Sequence, residues 1–309
     1  MSRAVRLLVA SLALIAAPAQ SRSVAVTVDD LPLFGAYAPP AEAERITSDL
    51  LRGFRRNHWR VTGFVNEGQL EGPDREERIG LLQRWLDAGE DLGNHTYSHL
   101  SLTSTPVDDY IADVVRGESV TKVLLARRGR RERWFRHPYL ETGPTLAIRD
   151  RFERWLKDHG YRVAPASMEN SDWQFADAYD AAVAMGDATT ALRVRATYLD
   201  FTRRTVAWYR SAGRGLLGRE PAFVLLLHAS RLNAASVDEL AAILRANRLK
   251  VVPLDRAMKD AAYTIPDRYA GPDGDEWLIR WANTLHHDLP YDTLPQVPAA
   301  IARSAPDAR

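Results

Sequence analysis

Short β-type runs alternate with longer amphipathic stretches along this chain. The β-type runs at residues 24–28, 61–65, 133–136, 161–164, 222–227 and 249–252 predict strands. Apolar positions recur with helical spacing over residues 42–57, 75–88, 107–126, 146–159, 192–212 and 237–246. Gly89 and Gly160 stand where helices should stop. The alternation predicts an α/β protein with a parallel sheet. Past residue 261 the pattern changes: Pro266, Gly271, Pro272 and Gly274 predict a loop, and residues 276–285 a short helix carrying Trp277 and Trp281. Pro290, Pro295 and Pro298 then predict an extended or frayed end.

The first residues read as an address. Arg3 and Arg6 precede an apolar stretch at 7–16, and Ala17-Pro18-Ala19 has the small-x-small form of a signal peptidase site. The apolar stretch is too short to span a bilayer stably. The expectation is a periplasmic or secreted protein, cleaved after Ala19, with no stable membrane insertion afterwards. Subtracting the two signal arginines from 41 basic residues leaves 39 against 40 acidic ones. A nearly neutral mature chain gives no reason to expect a nucleic-acid partner. The local run Arg127-Arg128-Gly129-Arg130-Arg131 reads as a solvated loop after a helix. With no cysteine, disulfides and thiolate-bound zinc are excluded, which leaves His, Asp and Glu as metal ligands.

The polar residues are placed systematically. Asp29 and Asp30 end the first apolar run, His95 follows the short segment 90–93, and Arg136 ends the run at 133–136. Asp172 lies just beyond 161–164, and His228 follows 222–227. In β/α barrels the active site is built at the C-terminal ends of the strands, so these clusters should converge. The i, i+4 spacing of His95 and His99 predicts two imidazoles on one face of a helical turn, gripping one metal ion. Asp30 would add an oxygen ligand and leave positions open for water and substrate. The same two-His-one-carboxylate set suits non-haem iron as well as zinc, but a second carboxylate favours hydrolysis. Asp29 could take a proton from a water acidified by the ion. His228, held protonated by Asp172, could protonate a leaving group. Arg136 could pair with Asp29 and keep its pKa low. His286 and His287 have no neighbours to complete a site, which assigns them a surface or packing role.

Five motifs in this order resemble the polysaccharide deacetylases of the NodB-homology type, carbohydrate esterase family 4. They are Thr27-Val28-Asp29-Asp30, His95-Thr96-Tyr97-Ser98-His99, Arg136-His137-Pro138-Tyr139, Asp172-Trp173 and Leu226-Leu227-His228, over roughly residues 24–255. The resemblance implies a distorted (β/α) barrel with a metal site at the strand C-termini. It implies Asp29 as base, Asp30, His95 and His99 as ligands, and His228 as acid, supported by Arg136 and Asp172. The Tyr139 backbone N–H would help hold the oxyanion. Pro138 belongs to one groove wall, while Trp173 and Leu226 would shape the acetyl pocket. One divalent ion is implied, zinc first, with cobalt, nickel, manganese and iron compatible.

The chain departs from the family pattern at the groove walls. Leu140-Glu141-Thr142-Gly143 follows the Pro-Tyr pair, Ala229-Ser230 follows His228, and Glu169 stands where an aspartate is common. The resulting reading is a signal peptide (1–19), a deacetylase domain (20–260) and a C-terminal loop–helix extension (261–309). Its reaction is the hydrolysis of acetamido groups on N-acetylated oligo- or polysaccharides, of chitooligosaccharide or peptidoglycan type. Two alternatives stand beside it: an O-acetyl (xylan-type) esterase, and a non-catalytic carbohydrate-binding protein on the same scaffold.

Overall fold

A computed structural model describes residues 22–35 and 38–302; the predicted export signal lies outside the described residues. Among the described residues there are seven strands: β1 (Ser23–Leu31), β2 (Thr62–Val65), β3 (Asp91–Asn94), β4 (Trp134–Phe135), β5 (Arg162–Val163), β6 (Phe223–His228) and β7 (Lys250–Val251). They run parallel in the order β5-β4-β3-β2-β1-β6, with β7 pairing to the start of β1. The sheet curls until its two edges approach. The segment after β5 then reaches β6 through one bridge, Met168 to Leu225, with the Leu226 N–H donating to the Met168 carbonyl at 3.0 Å. This is a barrel closed by a loop instead of a full ladder, the distorted (β/α) barrel expected. Among the described residues no helix is long and apolar enough to cross a membrane.

Why β1 is central follows from its composition. Every residue from Val24 to Leu31 is buried, as expected for a strand covered on both faces by helices, where polar–apolar alternation disappears. Gradual burial of Val, Leu and aromatic side chains contributes about 1.5–3 kcal/mol each. Against that background Asp29 and Asp30 are conspicuous, because charge is expensive to bury unless something compensates it.

Several elements differ from the periodicity. The helix expected over 107–126 is two, Val107–Arg116 and Thr121–Ala126. Between them the buried Glu67 carboxylate accepts the N–H groups of Val120 and Thr121, a side-chain cap that starts the second helix afresh. The helix expected over 192–212 extends to Ala188–Leu217, capped by Asp187, whose side chain accepts the Thr190 N–H. A further helix, Asp172–Ala184, was not expected at all.

Residues past 260 share the main core. Ala262, Leu278, Trp281 and Ala282 lie in the same buried cluster as Val24, Val26 and Val28. The expected short helix is present as Trp277–Leu285, and the proline-rich end holds a short turn (Tyr291–Thr293) and a four-residue helix (Ala299–Ala302). His286 and His287 are exposed at the helix end.

Candidate metal centre and its flanks

At the C-terminal ends of the strands, Asp30, His95 and His99 converge. The Asp30 Oδ1 lies 3.5 Å from Nε2 of His95 and 3.5 Å from Nε2 of His99. Among the described residues these three form the one cluster with the ligand set for a metal ion, their ligand atoms all within 4.8 Å of one another. The donor set fits a divalent ion on a specific observation: Asp30 Oδ1 is buried and has no hydrogen-bond partner.

Asp29 and Asp30 are consecutive in a strand, so their side chains should point to opposite faces. Both nevertheless approach His95 Nε2, Asp29 Oδ2 at 3.8 Å and Asp30 Oδ1 at 3.5 Å. The ladder with β2 slips between Val28 and Leu31, and Asp30 has φ 62°. Such an irregularity re-aims a side chain, and here it brings two carboxylates to one place.

The helical turn expected at His95–His99 is absent. The five residues form a loop after β3, with Thr96 and His99 at φ 65° and 55°. Local polar groups compete with helical hydrogen bonds. Asn94 Oδ1 accepts the Thr96 N–H, Thr96 Oγ1 accepts the His99 N–H, and the Asp113 carboxylate takes the N–H groups of Tyr97 and Ser98 together with the Ser98 hydroxyl. Gly117 lets the next helix end press against this loop, since a Cβ there would sit 2.9 Å from the Thr96 carbonyl carbon. The rings still meet, with centroids 5.0 Å apart.

His95 Nδ1 lies 2.8 Å from the Arg136 carbonyl oxygen. A carbonyl only accepts, so the imidazole carries its proton on Nδ1 and turns the Nε2 lone pair toward Asp30. Burial, and then the neighbouring His99, holds this imidazole well below its ordinary pKa, in the neutral form that ligates.

Arg136 follows β4 and is fully buried. Its Nη1 stands 3.6 Å from Asp29 Oδ2, while Nη2 donates to Thr27 Oγ1 at 2.8 Å. The expectation that Arg136 keeps the Asp29 pKa low is corrected here. Burial outweighs the guanidinium and pushes the carboxyl up to about 6.

Across β1, Asp29 is paired in register with His228, the last residue of β6. Asp172 is the first residue of its helix and meets His228 twice: Oδ2 accepts the backbone N–H at 2.7 Å, and Oδ1 accepts the imidazole Nδ1–H at 2.7 Å. Burial alone would lower the imidazole pKa, but the Asp172 charge and hydrogen bond outweigh it and raise it to about 10. Nε2 is then left protonated on the side away from Asp172. The Phe34 ring covers His228 at 4.8 Å.

Tyr139 lies beside His99, 39 % exposed, its ring 4.4 Å from that of His99. Tyr139 and Leu140 take φ 56° and 57°, a left-handed pair that costs about 1–3 kcal/mol per residue. Pro138 before them is buried. Leu226 is 8 % exposed and packs with Leu140 and Ala166. Trp173 is half-buried in the first turn of its helix.

Asn233 was missed in the sequence. Its side-chain amide donates to Asp172 Oδ2 and, at 2.9 Å, to the His228 carbonyl. An asparagine in a polar stretch, five residues after the histidine, offers no periodic or motif signal. Thr27, which links Arg136 to the Leu225 carbonyl, was legible as a motif position and not as a network partner.

The family model for polysaccharide deacetylases matches residues 16–164, which include Asp29, Asp30, His95, His99, Arg136 and Tyr139. Over that segment, 149 of its 309 residues, the chain is similar to the polysaccharide deacetylases. A curated relative, the peptidoglycan-N-acetylglucosamine deacetylase of Bacillus cereus, is 25 % identical over 157 residues, covering 51 % of this chain. That alignment takes in 48 % of the relative, so the chain spans about half the length of the curated protein it matches. Solved structures share the fold. The polysaccharide deacetylase Bc1974 from Bacillus cereus superposes with a TM-score of 0.52 at 15 % identity, over 75 % of this chain and 91 % of that one. BA3943 from Bacillus anthracis, a family 4 pseudoenzyme, gives 0.51 at 15 % identity, over 78 % and 66 %. A shared fold leaves activity to be argued from the site. Asp172 and His228 fall outside the matched segment, and their placement rests on the geometry above.

Proposed function

We propose that this chain is a metal-dependent deacetylase that hydrolyses acetamido groups of an N-acetylated glycan, with water as the nucleophile. One observation carries the reading: a cluster suited to a metal ion stands beside the Asp29 carboxylate, and Asp29 lies in register with His228, an imidazole held by Asp172. A pseudoenzyme need not keep acid, base and ligands together.

Asp30, His95 and His99 would hold the ion, with zinc as first candidate and cobalt, nickel, manganese or iron compatible with the same donors. A bound divalent ion supplies Lewis acidity, polarising the acetyl carbonyl and making water more acidic. The chain's own groups do the rest. Asp29 accepts the proton of the water as its oxygen bonds to the acetyl carbon. The Tyr139 N–H would donate to the developing oxyanion. His228 then delivers its Nε2 proton to the departing nitrogen as the carbon–nitrogen bond breaks, releasing acetate and a free amine. An amine leaving group needs that proton, which is why an imidazolium at His228 favours amides over esters. The likeness to a peptidoglycan deacetylase supports an N-acetylglucosamine-containing polymer, and the export-signal pattern at 1–19 supports an extracytoplasmic setting. Acetate release from N-acetylglucosamine oligomers, with and without a chelator, tests the proposal.

A further inference from the structure

The residues at which the chain departs from the family's groove wall, 140–143, are the ones its C-terminal extension touches. Gly274 is the closest contact. A Cβ built on it would lie 1.6 Å from the Tyr139 carbonyl oxygen, 2.8 Å from its carbonyl carbon and 3.1 Å from the Glu141 nitrogen. No side chain fits there, so the extension's backbone rests directly on the backbone of Tyr139.

This contact is anchored on both sides. Thr103 Oγ1 donates to the Pro272 carbonyl at 3.0 Å, tying the loop to the segment after the metal histidines. The Glu141 carboxylate is held from the same segment by Ser101 Oγ and the Thr103 N–H. Arg280 is fully buried; it donates to Thr142 Oγ1 and, through Nε and Nη2, to Asp267 Oδ2 at 2.9 and 2.6 Å. Arg149 Nη1 fixes the carbonyls of Asp267 and Tyr269 at 2.6 and 2.9 Å. On the far side of the loop the Trp277 N–H donates to the Ala166 carbonyl at 2.7 Å. Tyr139 and Leu140 sit in the left-handed region, and non-glycine residues stay there only when their surroundings over-determine them.

We infer that the backbone of residues 267–280, rooted by the Arg280 side chain, acts as a clamp that holds the Tyr139 N–H in position, with Gly274 and Arg280 as positioning residues for the reaction. The inference rests on the proposed role of Tyr139 in the deacetylation above. Gly274 acts by permitting contact, and Arg280 by fixing Thr142 and the root of the loop.

The test compares Gly274→Ala with Thr103→Val, which removes one exposed anchor and leaves the fold intact, and with Asp273→Ala as a neighbouring control. Two readouts are taken: steady-state kinetics on an N-acetylglucosamine oligomer, and hydrogen–deuterium exchange of the peptide spanning 138–143. Gly274→Ala should lower kcat by about ten-fold or more, a partial loss of an oxyanion donor, with KM and bound metal little changed. Thr103→Val should fall between it and wild type, and Asp273→Ala should match wild type. Exchange at 138–143 should quicken in the same order. Unchanged kcat and unchanged exchange in both Gly274→Ala and Thr103→Val would overturn the clamp. If the wild-type protein releases no acetate from any glycan, the functional reading falls, and the exchange data alone decide the clamp. Should Gly274→Ala fail to fold, Thr103→Val decides it by the same two readouts.

Discussion

The Asp172 carboxylate holds His228 by both its backbone and its ring, with each contact at 2.7 Å. A single side chain therefore fixes the end of β6 and the protonation state of the group that ends it. Asn233 occupies the Oδ2 side of the same carboxylate, so neither oxygen is left for solvent. The arrangement orients the imidazole and keeps it charged.

Titration follows from that contact. In metal-free protein, the His228 ring should remain protonated until about pH 10, followed by NMR of its ring protons. In Asp172→Asn the strongest opposition to burial is gone, only the Asp30 and Asp29 charges still favour the cation, and the ring should titrate well below about 10. The pair raises a histidine pKa, so its contribution to stability is fully present below about pH 6.5 and is lost as pH rises through about 10. A ring in Asp172→Asn that still titrates near 10 would show that Asp172 is not the cause.

Replacing Asp29 with Asn separates the two aspartates. Turnover should fall by about a hundred-fold or more, the contribution of a positioned base, while bound metal measured on the purified protein stays stoichiometric. Asp30→Asn should instead lose the metal. Loss of metal from Asp29→Asn would mean that the two roles are exchanged.

The site and the fold were legible to different depths. The central strands showed as continuous apolar runs because both faces of β1 and β6 are covered, and the five polar clusters at strand ends did converge in space. The shape of the His95–His99 loop was hidden. Its i, i+4 spacing matches a helix, but Asn94, Thr96 and Asp113 satisfy its backbone by side-chain contacts that no periodicity records. The helix Asp172–Ala184 escaped because alanine dominates its buried face, Ala176, Ala178 and Ala182 giving little contrast with its surroundings. The bend that turns Asp30 beside Asp29 depends on a register slip with β2, a relation between strands that neither strand carries alone.

A second pH effect lies away from the site. The Tyr161 hydroxyl is 2.8 Å from Glu118 Oε1 and 2.6 Å from Glu132 Oε2, yet it has one proton to donate. Burial pushes the Glu132 carboxyl up to about 8, so it stays protonated at neutral pH. A raised carboxyl pKa means the folded state binds the extra proton. Stability should therefore be greatest below about pH 4.5 as far as this group is concerned, and should decline as pH rises toward about 8. The decline should be on the order of a few kcal/mol. Glu132→Gln should flatten that part of the urea-unfolding profile, and a variant with the wild-type slope would place the titration elsewhere.

The central claim is that Asp30, His95 and His99 hold an ion without which the flanking acid and base cannot deacetylate a glycan. Acetate release from N-acetylglucosamine oligomers should stop when the protein is stripped with a chelator. It should return on adding back zinc or another divalent ion, and the His95→Ala variant should regain nothing under the same treatment. Binding of the oligomer with no acetate released under any metal would contradict the claim and mark the chain as a carbohydrate-binding protein on a deacetylase fold.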